Sequence, residues 1–393
     1  MKVAASMCLW LCVVSCDFAP LQRLSATGSD DAGIDAVRDA SGGRDAMPDA
    51  APLPIPTGHN IVFLTNGLYT GNLGGLAGAD AICNTEARAA GLPGAYVAWL
   101  STPSIPAGTR LTGRGWVRRD GLGFVDTLAD LKAGKALRPV RLDAFGNDIG
   151  HAFAFTATDF EGAYQDAYTG DTCAGWTSAS STLVPGAAGF TDGTGYGWTD
   201  HINPTGLLPC SKVAHLYCFG TSLSQPLDPP SDVGWIAFVS QNLWKSGGGI
   251  TSADSVCAAE ASGRGLPGTY KAFLTTQAAS AASRFSAVTE PWIRTDNVRL
   301  AETPSAFFAA RLEAPLNVQV DGTFSLNATH AQLGSIDWTK PGSSDPTDYT
   351  CNDWRSSTST ETAELACTDT TIDVFCGFEQ CSGSRPLFCL RAE

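Results

Sequence analysis

The stretch Gly74-Gly75-Leu76-Ala77-Gly78-Ala79-Asp80-Ala81-Ile82-Cys83 returns as Gly248-Gly249-Ile250-Thr251-Ser252-Ala253-Asp254-Ser255-Val256-Cys257. Each copy runs on to the same punctuation, Gly91-Leu92-Pro93-Gly94-Ala95-Tyr96 in the first and Gly265-Leu266-Pro267-Gly268-Thr269-Tyr270 in the second. Glycine ends a helix and a following proline keeps it from resuming, so the spacing predicts helices over 79–90 and 253–262. In the first, Ile82, Cys83, Ala87 and Ala90 fall on one face. In the second, Thr251 and Asp254 have the spacing of a capping pair.

The likeness extends in both directions. Upstream, the apolar runs Ile61–Thr65 and Trp235–Val239 read as strands, with Ile61 opposite Trp235. Downstream, Val97–Leu100 matches Lys271–Leu274, and Trp116–Asp120 matches Trp292–Asp296. Cys173-Ala174-Gly175-Trp176 matches Cys351-Asn352-Asp353-Trp354, and Leu216-Tyr217-Cys218 matches Leu387-Phe388-Cys389. Landmarks that keep their order over a whole domain length mark an internal duplication. The expected organisation is two tandem domains, 58–221 and 233–393, joined by a proline-bearing linker at 222–232.

What precedes them reads as targeting and spacer. Lys2 and the apolar run Val3–Val14 have the form of a secretory signal, too short to span a bilayer. Val13-Val14-Ser15-Cys16 has the form of a bacterial lipobox, which predicts a signal peptide over 1–16 and lipidation of Cys16. Residues 17–57 carry seven Asp against three Arg and few large apolar side chains, so they are expected to be a disordered tether. The destination is then the cell envelope, with the protein exported and held by its lipid at the surface or the periplasmic face. Asp17 after Cys16 hints at inner-membrane retention by a rule known for some bacteria.

The net charge of −14 disfavours nucleic acid and anionic membrane surfaces as partners, because like charge repels. The membrane is expected only through the anchor. Of 13 cysteines, three lie in the signal and ten beyond it. An even number in an oxidising compartment predicts disulfides. Four recur per copy and allow three connectivities. Joining the helix cysteine to the last one (Cys83 to Cys218, Cys257 to Cys389) would tie each domain's ends, leaving Cys173 with Cys210 and Cys351 with Cys381. Cys367 and Cys376, present only in copy two, are close enough to clip their own loop.

On these residues a resemblance appears. The run from Gly78-Ala79-Asp80 through Gly91-Leu92-Pro93-Gly94 to Ala98-Trp99-Leu100-Ser101, with the later Cys-x-x-Trp and the closing Leu-Tyr-Cys, resembles endostatin. It is similar to an endostatin-like domain of unassigned function on bacterial surface lipoproteins. The resemblance implies an α+β, C-type-lectin-like fold in each copy, with nested outer and inner disulfides. Endostatin holds zinc through N-terminal histidines. Here only His59 lies near the start of copy one, so no metal is expected on that ground. Endostatin binds heparin through an arginine-rich face. Arg110, Arg114, Arg118, Arg119, Lys132, Lys135, Arg138 and Arg141 cluster in copy one, but 10 basic against 13 acidic residues over 59–220 favour a solvated mixed-charge face.

Enzyme chemistry needs a nucleophile, a base and an orienter. No Gly-x-Ser-x-Gly is present, and His59, His151, His201, His215 and His330 do not recur between copies. No catalytic residue and no cofactor are expected, and the chain is expected not to be an enzyme. Calcium is the one ion with candidate oxygens, in Asp159, Glu161, Asp166 and Asp171 or in Asp192, Asp200 and Asn203. The recurring Trp116, Trp176, Trp292 and Trp354 read as core. The non-recurring Tyr164, Tyr168, Tyr196 and Trp198, with Asp200, read as loop residues placed to bind a ligand. The expectation is a surface binding or adhesion module for an extracellular or envelope polysaccharide or protein. The alternative is a structural envelope protein without a specific ligand. A hydrolase would need a cleft where carboxylates or a histidine converge.

Overall fold

The computed structural model describes residues 53–165, 172–185, 187–202, 208–325, 330–334, 337–341, 349–371 and 375–393. Cys16, the signal and most of the tether lie outside the described residues. So do Tyr168, Asp166, Asp171 and Asn203.

Both repeats are built on a last strand that becomes the middle of a sheet. In the first, His215–Gly220 pairs antiparallel with Asn60–Leu64 on one side. On its other side it takes Tyr96–Ala98 antiparallel and Phe153–Phe155 parallel. Asn60–Leu64 in turn lies parallel to Trp116–Val117. The second repeat repeats this core: Phe388–Arg391 lies between Trp235–Val239 and Tyr270–Ala272, and Trp292–Ile293 lies parallel to Trp235–Val239. Register shows that Asn60, not Ile61, is the counterpart of Trp235. Phe63 faces Cys218 as Phe238 faces Cys389. A one-residue slip would reverse every side chain. The described residues form few helices and many short strands, a mixed content compatible with an α+β fold, and carry five disulfides.

All five residues of Asn60–Leu64 are buried, because both faces of the sheet are covered. Ile61 and Phe63 face a helix and the disulfides, while Val62 and Leu64 face Trp99, Trp116 and Phe219. The helices are Gly75–Ala89 and Ile250–Gly263, so each starts earlier than the pattern suggested. Their buried stripes are Ala79-Cys83-Ala87 and Ala253-Cys257-Ala261, spaced four apart. Small side chains let the helix approach until Cys83 and Cys218 stand 5.5 Å apart at Cα, and Cys257 and Cys389 5.3 Å. Both helices end with Gly91 and Gly265 in the left-handed region, and the Leu92 and Leu266 amides reach back to Ala87 and Ala261.

The inner staples are Cys173–Cys210 and Cys351–Cys381, and Cys367–Cys376 closes its own loop. The nested arrangement is therefore present in both repeats. Inside each inner staple the Cys-x-x-Trp segment is a left-handed turn. φ runs 55, 53, 68 and 67° over Cys173–Trp176, and 51, 52, 53 and 63° over Cys351–Trp354. Each turn is closed by a preceding threonine, Thr172 or Thr350, whose hydroxyl accepts from the third residue's amide. Each buries its tryptophan, whose indole N–H donates to Ser101 or Thr275.

Three expectations need correcting. Thr251 and Asp254 form no cap: the residue before the helix is Gly249, with no side-chain cap bond. Asp254 instead accepts from the Ala272 amide and takes both oxygens to Arg284, as Asp80 does with Ala98 and Arg110. The arginine cluster is not a solvated face. Arg118, Arg119 and Arg138 are buried, and Arg118 bonds Asp120 and the Pro139 carbonyl. Arg114 pairs with Asp126 and Arg141 with Asp148. Finally, the end of the expected tether is docked: the Leu53 and Pro54 carbonyls accept from Arg119.

The linker is equally well tied. Leu223 exchanges bonds with the Asn60 side chain, and the Leu227 amide donates to Asp126. Asp232 accepts from Arg138 of repeat one and from the Arg299 amide of repeat two. Residues Ala51–Glu393 form one compact unit. Among the described residues, no helix is long and apolar enough to cross a membrane.

Candidate functional site

The loop Phe190–Thr199 of repeat one lies against Asp369–Thr371 of repeat two. Gly193 and Thr370 pair as an antiparallel bridge. The Thr194 amide donates to the Asp369 carbonyl at 2.7 Å, and the Thr371 amide to the Asp192 carbonyl at 3.2 Å. Asn317 donates to the Thr194 hydroxyl in the interior, and Arg141 reaches the Leu312 carbonyl. The fully buried Asp192 carboxylate meets His151 at 2.8 Å and the Thr371 amide. Glycine at 197 lets its amide reach the Asp369 carboxylate: a Cβ there would meet Asp369 Oδ2 at 2.8 Å.

Beside this seam lies a cavity of about 190 Å³. Phe190, Tyr196 and Asp200 line it from repeat one, and His330, Asp369 and Thr370 from repeat two. The Cys367–Cys376 disulfide forms part of its wall. Tyr196 is braced edge-on by Phe160, with ring centroids 4.4 Å apart. Asp200 accepts from Gln165 at 2.9 Å, and Asp369 from the Gly197 amide at 3.1 Å.

These carboxyls are electrostatically unusual in this protein. Burial pushes the Asp369 carboxyl up to about 7, the Gly197 amide opposes the rise, and Asp192 adds to it. Burial also raises Asp200, against the Gln165 bond and with help from Asp159. Burial and Arg385 lower His330, and Glu379 opposes them. Elsewhere many half-buried carboxylates take arginines: Asp80, Asp120, Asp126, Asp232, Asp254, Asp296, Glu313 and Glu379 each have one. Among the described residues, Asp200 and Asp369 have no cationic partner, and no Lys or Arg lines the cavity.

Of the loop residues singled out in the sequence, the structure brings together Tyr196 and Asp200. Trp198 is a correction. It is 1% exposed and packed among Trp99, Phe124, Tyr217 and Phe219, so it is core and cannot touch a ligand. Tyr164 is half-buried against the first repeat's core. His330 and Asp369 were missed because they come from the other repeat. The one available signal was the additional cysteine pair beside Asp369. Asp192, a candidate calcium ligand, is committed to His151 and the seam. Among the described residues no three His, Cys, Asp or Glu side chains are grouped to hold a metal ion.

A larger cavity of about 250 Å³ lies where chain entry meets linker, between Ile55, His59, Tyr96 and Leu223. Its lining is mostly apolar and carries no carboxyl. No family model matches the chain, and no curated protein matches it.

Proposed function

We propose that this is an exported, lipid-anchored binding protein of the cell envelope, and that the seam cavity takes part of an envelope or extracellular polysaccharide. The observation that carries this reading is the meeting of Tyr196 and Asp200 with His330 and Asp369 in a single cavity. An aromatic edge with polar groups around a one-ring-sized space suits a sugar, whose C–H face stacks while its hydroxyls bond. The five disulfides fit an oxidising, extracellular or periplasmic compartment. The resemblance to endostatin-like, C-type-lectin-like domains supports it too, through the nested staples and the central last strand. Lipidation at Cys16 would place the cavity outside the membrane it is tethered to. A protein ligand or a purely structural envelope role remain the competing outcomes.

The test is a glycan array probed with the full-length protein and with Tyr196→Ala. Binding to a polysaccharide that drops about tenfold or more in Tyr196→Ala, the loss of one good stacking contact, supports the proposal. No glycan bound, or binding indifferent to Tyr196, contradicts it.

One observation favours a second reading, a glycoside hydrolase. A carboxyl pushed up to about 7 is poised as a general acid, and Asp200 is a second carboxyl in the same cavity. Incubating the bound polysaccharide with the protein and measuring reducing ends decides it: turnover lost in Asp369→Asn would make the protein an enzyme, and no turnover leaves the binding reading.

A further inference from the structure

The seam cavity is a carboxyl-bearing space without a counter-charge, whereas many of the chain's other buried or half-buried carboxylates take an arginine, and Asp143, Glu86 and Glu260 are each held by at least three neutral donors. Asp200 and Asp369 enter it from opposite repeats. Neither has a cationic partner among the described residues, and their donors are neutral: Gln165 and the Phe160 backbone for Asp200, the Gly197 amide and its own backbone for Asp369. The charged groups around them are Asp159, beside Asp200, and Asp192, beside Asp369. His330 lies in the wall with Arg385 and Glu379 nearby, and those two are already paired with each other. A partly desolvated carboxylate is stabilised most by a cation that brings its own hydrogen-bond donors. The remaining wall is not ionic. Phe190 and Tyr196 present aromatic surface and Thr370 a hydroxyl. A bare metal ion would leave that aromatic surface without a role, and no third ligand is grouped there among the described residues. An ammonium group on a compact ring uses both halves of the wall.

We propose that the cavity selects a hexosamine with a free amine, its ammonium group held between Asp200 and Asp369 and its ring against Tyr196. This rests on the reading that the cavity is the ligand site. The two carboxyls supply the charge that an acetylated amine lacks. The aromatic wall favours a ring over an extended lysine stem.

The experiment is calorimetric titration of the full-length protein near neutral pH with D-glucosamine, N-acetylglucosamine and Nα-acetyl-lysine amide. Glucosamine is expected to bind about tenfold or more tighter than N-acetylglucosamine, as a charge-assisted bond should provide. That preference should vanish in Asp200→Asn and in Asp369→Asn, each checked for an unchanged thermal midpoint at about pH 5. Affinity should rise from about pH 5.5 to about pH 7 as Asp369 ionises, and Asp369→Asn should remove the rise. Equal or tighter binding of N-acetylglucosamine, or of the lysine amide, overturns the proposal. If N-acetylglucosamine binds in a Tyr196-dependent way, the cavity remains a sugar site and only its charge selectivity fails. If no sugar binds, the cavity reading fails with it.

Discussion

Phe155 and Gln332 occupy the same place in the two repeats. Phe155 lies beside Leu216 of its central strand, and Gln332 beside Leu387, the matching residue. Phe155 is fully buried against Trp176. Gln332 is equally buried, and neither end of its amide has a partner among the described residues. An unsatisfied buried amide costs on the order of 1–3 kcal/mol. Gln332→Met, which keeps the length and removes the polar atoms, is expected to stabilise the protein by about 1–2 kcal/mol. Urea unfolding of the variant beside the parent measures it, and an unchanged or lower midpoint would show that the amide is satisfied in solution. At this scale the sequence was legible where residues recur. Trp116, Trp176, Trp292 and Trp354 recur, and all four are buried. It misleads at Trp198, because a residue that does not recur can still be core. Trp198 fills space that the second repeat, with a different set of rings, packs around Phe273, Phe307 and Trp338.

The elements were legible in kind because their signals are local: glycine and proline stop the helices, and apolar runs mark the strands. The left-handed Cys-x-x-Trp turns were not, since their conformation is imposed by the staple and the buried indole rather than by preference. Asn352 and Asp353 suit that conformation, and Gly175 has no penalty in it. Ala174, at φ 53° and exposed, does. Ala174→Gly should therefore raise stability by about 1 kcal/mol, opposite to the usual effect of glycine in a helix. A thermal midpoint that falls instead would mean the turn relaxes to right-handed in solution. The Arg110–Asp80 and Arg284–Asp254 forks are legible in principle, since both pairs keep one spacing between copies, but a count of bulk charge hides them. Each arginine also holds the strand carbonyl of Ala98 or Ala272. Arg110→Met and Arg284→Met should each cost about 2–4 kcal/mol, by stranding a half-buried carboxylate. A loss under about 1 kcal/mol would class them with ordinary surface pairs.

At the scale of the whole molecule the linker and the seam make the duplication one body. Asp232 grips both repeats, and loop Phe190–Thr199 pairs with Asp369–Thr371. None of this shows in a sequence aligned to itself, because a contact between copies leaves no repeated mark. Calorimetry should find one cooperative transition rather than two, and two separable transitions would mean that the seam is weak. The seam also carries a pH signature. Asp369 titrates near 7 in the folded chain and near 4 when unfolded, so its contribution to stability is complete below about pH 4 and is lost as pH rises through about 7. Asp369→Asn should flatten the stability profile over that window, and a parallel profile would place the carboxyl in solvent. Whether the seam cavity holds a sugar is decided by glycan-array binding of the full-length protein beside Tyr196→Ala. A polysaccharide bound by the parent and lost by the variant is expected; binding that survives the loss of Tyr196 would place the ligand elsewhere.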